Sequence, residues 1–500
     1  MLLNIPVDVD NTKPIYLQIA DHVTALAQSG QLGSGVRLPP SRALAEQLTV
    51  HRSTIVNAYE ELKARGVVEA RQGSGSTIAP GLQVHKVLAP RNVQYLDHPN
   101  HLMNIMWDTN RAEGMLSLAL GAPADELMPV DDFEAMRSRA LRRDRARAYN
   151  YEDPAGYEPL RRAIAADLGR HGVLVSPDDV VVTFGAGDAL TMAARLFGRT
   201  PDPILTEAPA YFSSILNLKR MGYDVMGFKL AKDGPDWGHL SDMLRQTQAA
   251  RPDAPTRRPR FVMVNPDHQN PTGLHWTMAE RHKFVRLASE LDMQIIEDGA
   301  YRDLTYEGAP LVPLRALDPS VLYIGTYSKT LMPGLRIGYV VASGPLREQF
   351  ISLRRIASCG GSGVTERALA DYLTSGLYEA HLSRIQSEYR IRRDAMSDAL
   401  KAYFPSDAQW SCPNGGFFIW VELPPEAPVM DVFRMTMERG IVVAPGTLFY
   451  PDETNPNNAL RLSFARHSPD TLRYAVKKIG ECISSVMKHT TRNTLGGVLS

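Results

Sequence analysis

The chain has 500 residues, with 55 Lys and Arg against 55 Asp and Glu, 44% hydrophobic and 22% charged. That usage excludes a disordered, collagen-like or uniformly basic chain, and the length calls for about two to four domains. Cys359, Cys412 and Cys482 lie too far apart for a disulfide scaffold or a zinc ribbon. No run of about 18 apolar residues is present to span a bilayer. The start, MLLNIPVDVDNTKP, lacks the basic region of a secretory signal. The expectation is a cytoplasmic, reduced, multidomain protein.

Residues 13–78 read as one small unit. Ile15, Ile19, Val23 and Leu26 recur at helical spacing, and the Gly-rich QLGSG breaks that helix. A short helix follows from Ser41, a good N-cap, through Leu44, Ala45 and Leu48. A third runs over 52–65 with Ile55, Tyr59 and Leu62 on one face, and Gly66 stands where a stop belongs. VVEA and STIA, joined by RQGSG, form a hairpin signal. Three helices and a hairpin make a winged helix-turn-helix pattern.

A recognition helix presents donors to base edges with phosphate contacts beside it. Arg37 precedes the second helix, Arg42 lies on it, and His51, Arg52, Ser53 and Thr54 open the third. The tip Arg71–Gly75 is placed for the DNA backbone or minor groove. Solvated surface charge is the usual fate of such arginines. Residues 1–80 hold seven basic and seven acidic groups, so placement rather than bulk charge supports DNA binding. The run LPPSRALAEQLTVHRSTIVNAYEELKARGVVEARQGSG resembles the GntR family of winged-helix regulators. The resemblance implies double-stranded DNA as a partner, contacted through Arg42, Arg52, Ser53, Thr54 and Gly73. His51 stands where Ser or Thr is common as the cap, which weakens the cap or alters base preference.

Residues 80–113 scatter Pro, His and Asn without sustained periodicity and read as a linker, partly ordered against a neighbouring domain. From 114 the pattern is α/β. Buried-strand runs VVVTF (180–184), PILTEA (203–208), FVMVN (261–265), QIIED (294–298) and VLYIGTYS (321–328) alternate with helical segments. This predicts a mostly parallel sheet covered by helices. After about 365 come long helices and the strands GFFIWVEL, IVVAPG and ALRLSFA, a smaller α+β subdomain to about 490, with a disordered tail past 488.

YIGTYSKTLMPGLRIGY places Lys329 just past a strand, where lowered basicity allows a Schiff base, and Arg336 seven residues on can turn back to a phosphate. EDGAY puts Asp298 at a strand's carboxyl end, where a carboxylate can hold a pyridine nitrogen protonated. Asn270, in NPDHQNPTG, can donate to a phenolate oxygen. TFGAGDAL is a glycine-rich turn whose helix amides suit a phosphate, and Tyr211 can stack on an aromatic ring. Each has a bland alternative: a solvated loop lysine, an N-cap aspartate, an Asn-Pro turn, a core tyrosine.

Their order and spacing together resemble the fold-type I pyridoxal phosphate aminotransferases. The resemblance implies pyridoxal 5'-phosphate as cofactor, with Lys329 as the catalytic Schiff-base lysine and Asp298 on the ring nitrogen. Asn270 and Tyr301 would donate to the ring hydroxyl and Tyr211 would stack. Ala186, Gly187, Ser328 and Arg336 would hold the phosphate. Arg461 in ALRLSFA would bind a substrate carboxylate. Relatives commonly carry a polar side chain, often Gln, at Gly187, and Asp188 brings negative charge beside the phosphate, which weakens its hold. Gly-Ala after Asp298 replaces bulkier residues, and PNGGFFIW keeps a glycine pair that lets the small subdomain approach the ligand.

The expected architecture is a winged helix (1–79), a linker (80–113) and an aminotransferase-like domain (114–490), as in the MocR/GabR regulators. That resemblance implies a transcription factor sensing an amino compound or the cofactor, as a head-to-tail homodimer. The alternative is a working aminotransferase with a vestigial DNA-binding domain.

Overall fold

The computed structural model describes Ile5, Val7, Leu32 and residues 13–28, 35–71, 75–79, 98–109, 114–248, 259–452 and 457–496. They fall into two compact units, residues 1–97 and 98–500.

In the first, Ile15–Gln28, Ser41–Leu48 and Arg52–Ala64 are helices, and Val68–Arg71 pairs antiparallel with Gly75–Ile78. The apolar stripes close one core around Ile19, Val23, Leu44, Ile55, Leu62, Val68 and Ile78. Ser41 is the first helical residue rather than the cap. Pro40, at φ −55° and ψ 143°, takes that position, and no side chain caps the helix. Thr49, left-handed at φ 55°, makes the turn into the third helix. Gly66 (φ 71°) stops that helix, with the Val67 N–H donating to the Leu62 carbonyl at 2.9 Å. The hairpin tip 72–74, and Gly73 with it, lies outside the described residues.

The second unit is built on an eight-stranded sheet. Its spatial order is Val180–Thr183, Gly338–Val341, Leu322–Thr326, Gln294–Asp298, Phe261–Val264, Pro203–Ala208, Asp224–Ala231 and Gly234–Pro235. The strands from Leu322–Thr326 to Asp224–Ala231 run parallel. Gly338–Val341, unread in the sequence, is inserted antiparallel to both its neighbours. The central strands are buried along nearly their whole length because helices cover both faces. Val180 and Val182 pack into one core and Val181 into another, with Leu160, Leu369 and Leu373 on the first face and Ala189, Ala193 and Phe350 on the second.

The smaller subdomain is a four-stranded antiparallel sheet of Gln409–Trp410, Phe418–Glu422, Ala459–Ser463 and Ala444–Pro445, with Leu377–Tyr403 packed against Pro469–Gly496. Gly363–Thr374 packs on Val130–Asp144 and Glu158–Arg170 of the large sheet's layer, so the small subdomain begins after it rather than at 365. The helix Pro469–Gly496 continues past 488, where a disordered tail was expected.

Part of the expected linker is also helical. His98–Thr109 buries Leu102 and Met106 in the core that contains Phe212, Tyr301, Phe418 and Phe449. Half-buried Met103 and Ile105 pack beside them, so the contact is confined to one short run, 102–106, too little to show as periodicity among His, Pro and Asn. Among the described residues no helix is long and apolar enough to cross a membrane.

Candidate functional site

The parallel strands end on a common edge, the place where open α/β sheets build sites. Asp298 closes Gln294–Asp298, with one carboxylate oxygen held by the Ala300 N–H at 3.0 Å. Burial pushes its carboxyl up to about 6, against the pull of that N–H and of Lys329. Lys329 follows the next strand. Its Nζ donates to the Gly121 carbonyl at 2.7 Å and stands 5.8 Å from the Tyr301 ring centroid. Burial, then the charge of Arg461, lowers its pKa to about 8, with Asp298 opposing. The amine is therefore partly neutral near physiological pH, as nucleophilic attack requires.

Asn270 lies in the loop after Phe261–Val264, its side chain in hydrogen-bonding reach of the Tyr301 hydroxyl. Tyr301 is buried against the edges of Phe417 and Phe418, both with centroids 5.8 Å away. Tyr211 precedes the helix Phe212–Arg220 and keeps 37% of its surface exposed, an open aromatic face in an otherwise buried neighbourhood.

Gly185 (φ 82°) turns Val180–Thr183 into the helix Ala186–Phe197, and the first amides of that helix have no intrahelical acceptor. Arg336 turns back to the same bend: its Nη2 donates to the Phe184 carbonyl at 3.1 Å, and a Cβ on Gly185 would stand 3.0 Å from it. Thr326 Oγ1 is 3.0 Å from Ser328 Oγ and accepts from the Ser328 N–H at 3.2 Å, which fixes the bend before Lys329. Thr326 was missed in the sequence, although a hydroxyl three residues before the lysine was visible there. A Cβ on Gly187 meets nothing within 4 Å, so there is open space for a side chain at that position. Asp188 does not face the cup uncompensated as expected. It accepts from the Phe184 N–H at 3.0 Å and lies 3.9 Å from the guanidinium of buried Arg354, a partner far away in the sequence.

Arg461 is buried on Ala459–Ser463. Its Nη1 donates to Asn270 Oδ1 at 2.7 Å, its Nη2 to the Ala119 carbonyl, and its Nε has no partner. Its guanidinium lies 4.2 Å from the Phe418 ring centroid and 4.7 Å from that of Phe449. Among the described residues no acid forms an ion pair with it, and burial lowers its pKa to about 10, against the pull of Tyr301 and Tyr211. A buried cation with an unpartnered N–H and no carboxylate acting on it has the chemistry to receive an anion.

The glycines nearby serve close packing. A Cβ on Gly415 would lie 2.3 Å from His268 Cε1, and one on Gly416 (φ 71°) 2.8 Å from His268 Cβ. The pair thus admits the loop that carries Asn270, not the ligand itself. Gly299 faces Tyr323, whose hydroxyl would be 2.0 Å from a Cβ, which explains the small residues after Asp298.

In the first unit Arg37, Arg42, Arg52 and Ser53 are exposed and Thr54 is half-buried. None of the three arginines joins an ion pair among the described residues, whereas Arg65 bonds Asp21 and Glu61. His51 occupies the cap position of Arg52–Ala64 without capping it. Its Nδ1 instead lies 2.7 Å from Ser53 Oγ. Asn57, exposed one turn beyond Ser53, was not singled out in the sequence.

A winged helix-turn-helix followed by an α/β unit with a lysine, a carboxylate and an anion cup defines a DNA-binding module joined to a pyridoxal phosphate-type domain. Residues 113–479 match the family "Aminotransferase class I and II" and residues 15–78 match "Bacterial regulatory proteins, gntR family". The chain therefore belongs to the class I and II aminotransferase family, in the form that carries an N-terminal GntR domain, as in MocR-type regulators. The uncharacterized HTH-type transcriptional regulator YdfD of Bacillus subtilis is 28% identical, over 95% of this chain and 97% of its own. The HTH-type pyridoxine biosynthesis transcriptional regulator PdxR of Corynebacterium glutamicum is 29% identical, over 97% and 100%. Among solved structures, the α-aminoadipate aminotransferase LysN of Thermus thermophilus, complexed with N-(5'-phosphopyridoxyl)-L-leucine, covers 79% of this chain and 98% of its own, at TM-score 0.70 and 27% identity. The residues present fit that cofactor class: the unpartnered Arg461 Nε, the open amides at Ala186 and Gly187, and a carboxylate ending one strand with a lysine just past its neighbour.

Proposed function

We propose that this chain is a cytoplasmic transcriptional regulator whose aminotransferase-like unit binds pyridoxal phosphate and senses an amino compound bearing a carboxylate. Pyridoxal phosphate, when bound, supplies a carbonyl that condenses with amines and a ring that accepts electrons. Lys329 would hold its carbonyl carbon, Asp298 its ring nitrogen, and Asn270 and Tyr301 its ring oxygen. Ala186, Gly187, Ser328 and Arg336 would hold its phosphate. Tyr211 would cover the ring. The effector's carboxylate would neutralise Arg461 while its amine would compete with Lys329, leaving the Lys329 amine free to donate to the Gly121 carbonyl as it does here. For this to be allosteric the ligand must favour one domain arrangement over another. Arg42, Arg52, Ser53 and Thr54 contact an operator, and a head-to-tail homodimer supplies two half-sites.

The observation that carries the reading is the pairing in one chain of exposed, unpaired arginines in the helix-turn-helix with a buried Arg461 lacking a counter-ion. Titrating amino acids into the holo-protein tests it. The regulator gives a stable spectral change without turnover, and Lys329→Ala removes the visible band. Repeated turnover with a keto acid supports the second reading, a working aminotransferase, which the lowered basicity of Lys329 favours. A response to the cofactor with none to any amine would make it a cofactor sensor.

A further inference from the structure

The strand Phe261–Val264 runs into Asn265, a residue 8% exposed whose backbone N–H and side-chain amide are engaged. Its backbone N–H donates to Glu207 Oε2 at 3.1 Å. Its Nδ2 donates to the main-chain carbonyls of Asp298 at 2.7 Å and Asp267 at 3.4 Å. Its Oδ1 accepts from the Asn270 N–H at 2.9 Å. A primary amide offers two donors and an acceptor from one planar group, and here both kinds are directed into main chain. Asn265 therefore ties the residue proposed for the cofactor's ring nitrogen to the residue proposed for its ring oxygen.

Two further contacts extend the tie. Asn270 Oδ1 accepts from Arg461 Nη1 at 2.7 Å, so displacement of Asn270 also disturbs the carboxylate receptor. Behind Asn265, the fully buried Glu207 also accepts from Gln269 Nε2 at 3.3 Å, and Gln269 donates to the Pro209 carbonyl at 2.6 Å. The loop carrying Asn270 is thus anchored to two neighbouring strands, Pro203–Ala208 and Gln294–Asp298. No apolar residue of this size reproduces both halves of the clamp, and an aspartate would supply acceptors without the donors.

We propose that Asn265 is a positioning residue whose carboxamide sets the separation between Asp298 and Asn270, and thereby the fit of the pyridoxal ring and the aim of Arg461. Its amide is spent on backbone, so it acts through those residues. The inference rests on the cofactor lying between Asp298 and Asn270.

Asn265→Leu keeps the volume and removes the clamp, and Asn265→Ser removes it with less bulk. For each holo-protein, three quantities are compared with wild type: pyridoxal phosphate affinity, the pH midpoint of the visible absorption band, and the thermal midpoint. Misplacement of binding groups by a fraction of an ångström is expected to weaken the cofactor about tenfold or more, and to move the band's pH midpoint by about half a unit or more as ring-oxygen donation changes. A fall in the thermal midpoint alone, with affinity and pH midpoint within about twofold and a tenth of a unit of wild type, overturns the proposal and leaves a structural clamp. If the leucine variant does not fold, the serine variant decides. Wild-type protein lacking any visible band with pyridoxal phosphate would refute the cofactor reading itself, and this inference with it; Asn265 variants indistinguishable from a banded wild type refute only the inference.

Discussion

The arginines of the two units are held in opposite ways. Arg37, Arg42 and Arg52 stand in solvent without an acid, on a scaffold whose core is closed beneath them. In the larger unit Arg281 and Arg302 are buried and paired, Arg281 with Asp267 and Arg302 with Asp167 at 2.9 Å. Arg461 is equally buried and has no acid. Exposure without a partner costs a cation little and leaves it free for phosphates. Burial with a partner locks a fold, and burial without one leaves a charge that only a ligand can answer. Burial alone thus does not separate a structural arginine from a receptor, nor does lack of a direct ion pair. Buried Arg315 bonds only carbonyls and a hydroxyl but feels Asp179, Asp318 and Glu297, whereas the groups acting on Arg461 are tyrosines.

Substituting the receptor should have the largest effect. Arg461→Met is expected to weaken binding of carboxylate-bearing amines by about 2–5 kcal/mol, with a smaller loss in cofactor affinity and no loss of thermal stability. Calorimetric titration of wild type and variant checks it, and equal amine affinities would place the carboxylate elsewhere. The exposed set should respond less. Arg52→Ala is expected to cost about 1–3 kcal/mol in operator binding if it reads a base edge, or to lower the salt slope by about one if it holds a phosphate. An unchanged affinity and slope would remove Arg52 from the interface.

The buried carboxyls sharpen the contrast from the other side. Burial holds Glu207 up to about 8, above the ordinary glutamate value of 4.5. It is therefore neutral in the folded chain at pH values where the unfolded chain has lost the proton. Its stabilising contribution is full below 4.5 and is lost as pH rises through 8, by about 1.4 kcal/mol per unit in between. Thermal midpoints between pH 5 and 8.5 should fall more steeply in wild type than in Glu207→Gln. Glu297 and Glu366, each raised to about 7 by burial, add to the same slope. The smallest effect belongs to the helix cap. His51 makes no cap bond, so His51→Ser is expected to add about 0.5–1 kcal/mol to the first unit's stability, read by denaturant unfolding.

Most of the fold was legible where one short stretch carries its own signal. Pro203–Ala208 and Gln294–Asp298 are short, largely buried runs with the boundaries expected. The lysine, the carboxylate and Arg461 were legible through motif order. Less visible were features set by distant packing. Gly338–Val341 begins in the last two residues of the motif that holds Lys329 and was masked by it. The charge of Asp188 is answered by Arg354 on another helix. The role of Asn265 depends on contacts with Glu207 and Asp298, each on a different strand, which no local pattern announces.

The most direct test is binding of the holo-protein to the DNA upstream of its own gene over a salt series, with and without pyridoxal phosphate and amines. Saturable, sequence-selective binding with a steep salt slope, altered by the cofactor or an amine, is the predicted result. Binding no tighter than to unrelated DNA, accompanied by multiple-turnover transamination, would contradict it and make the protein an enzyme.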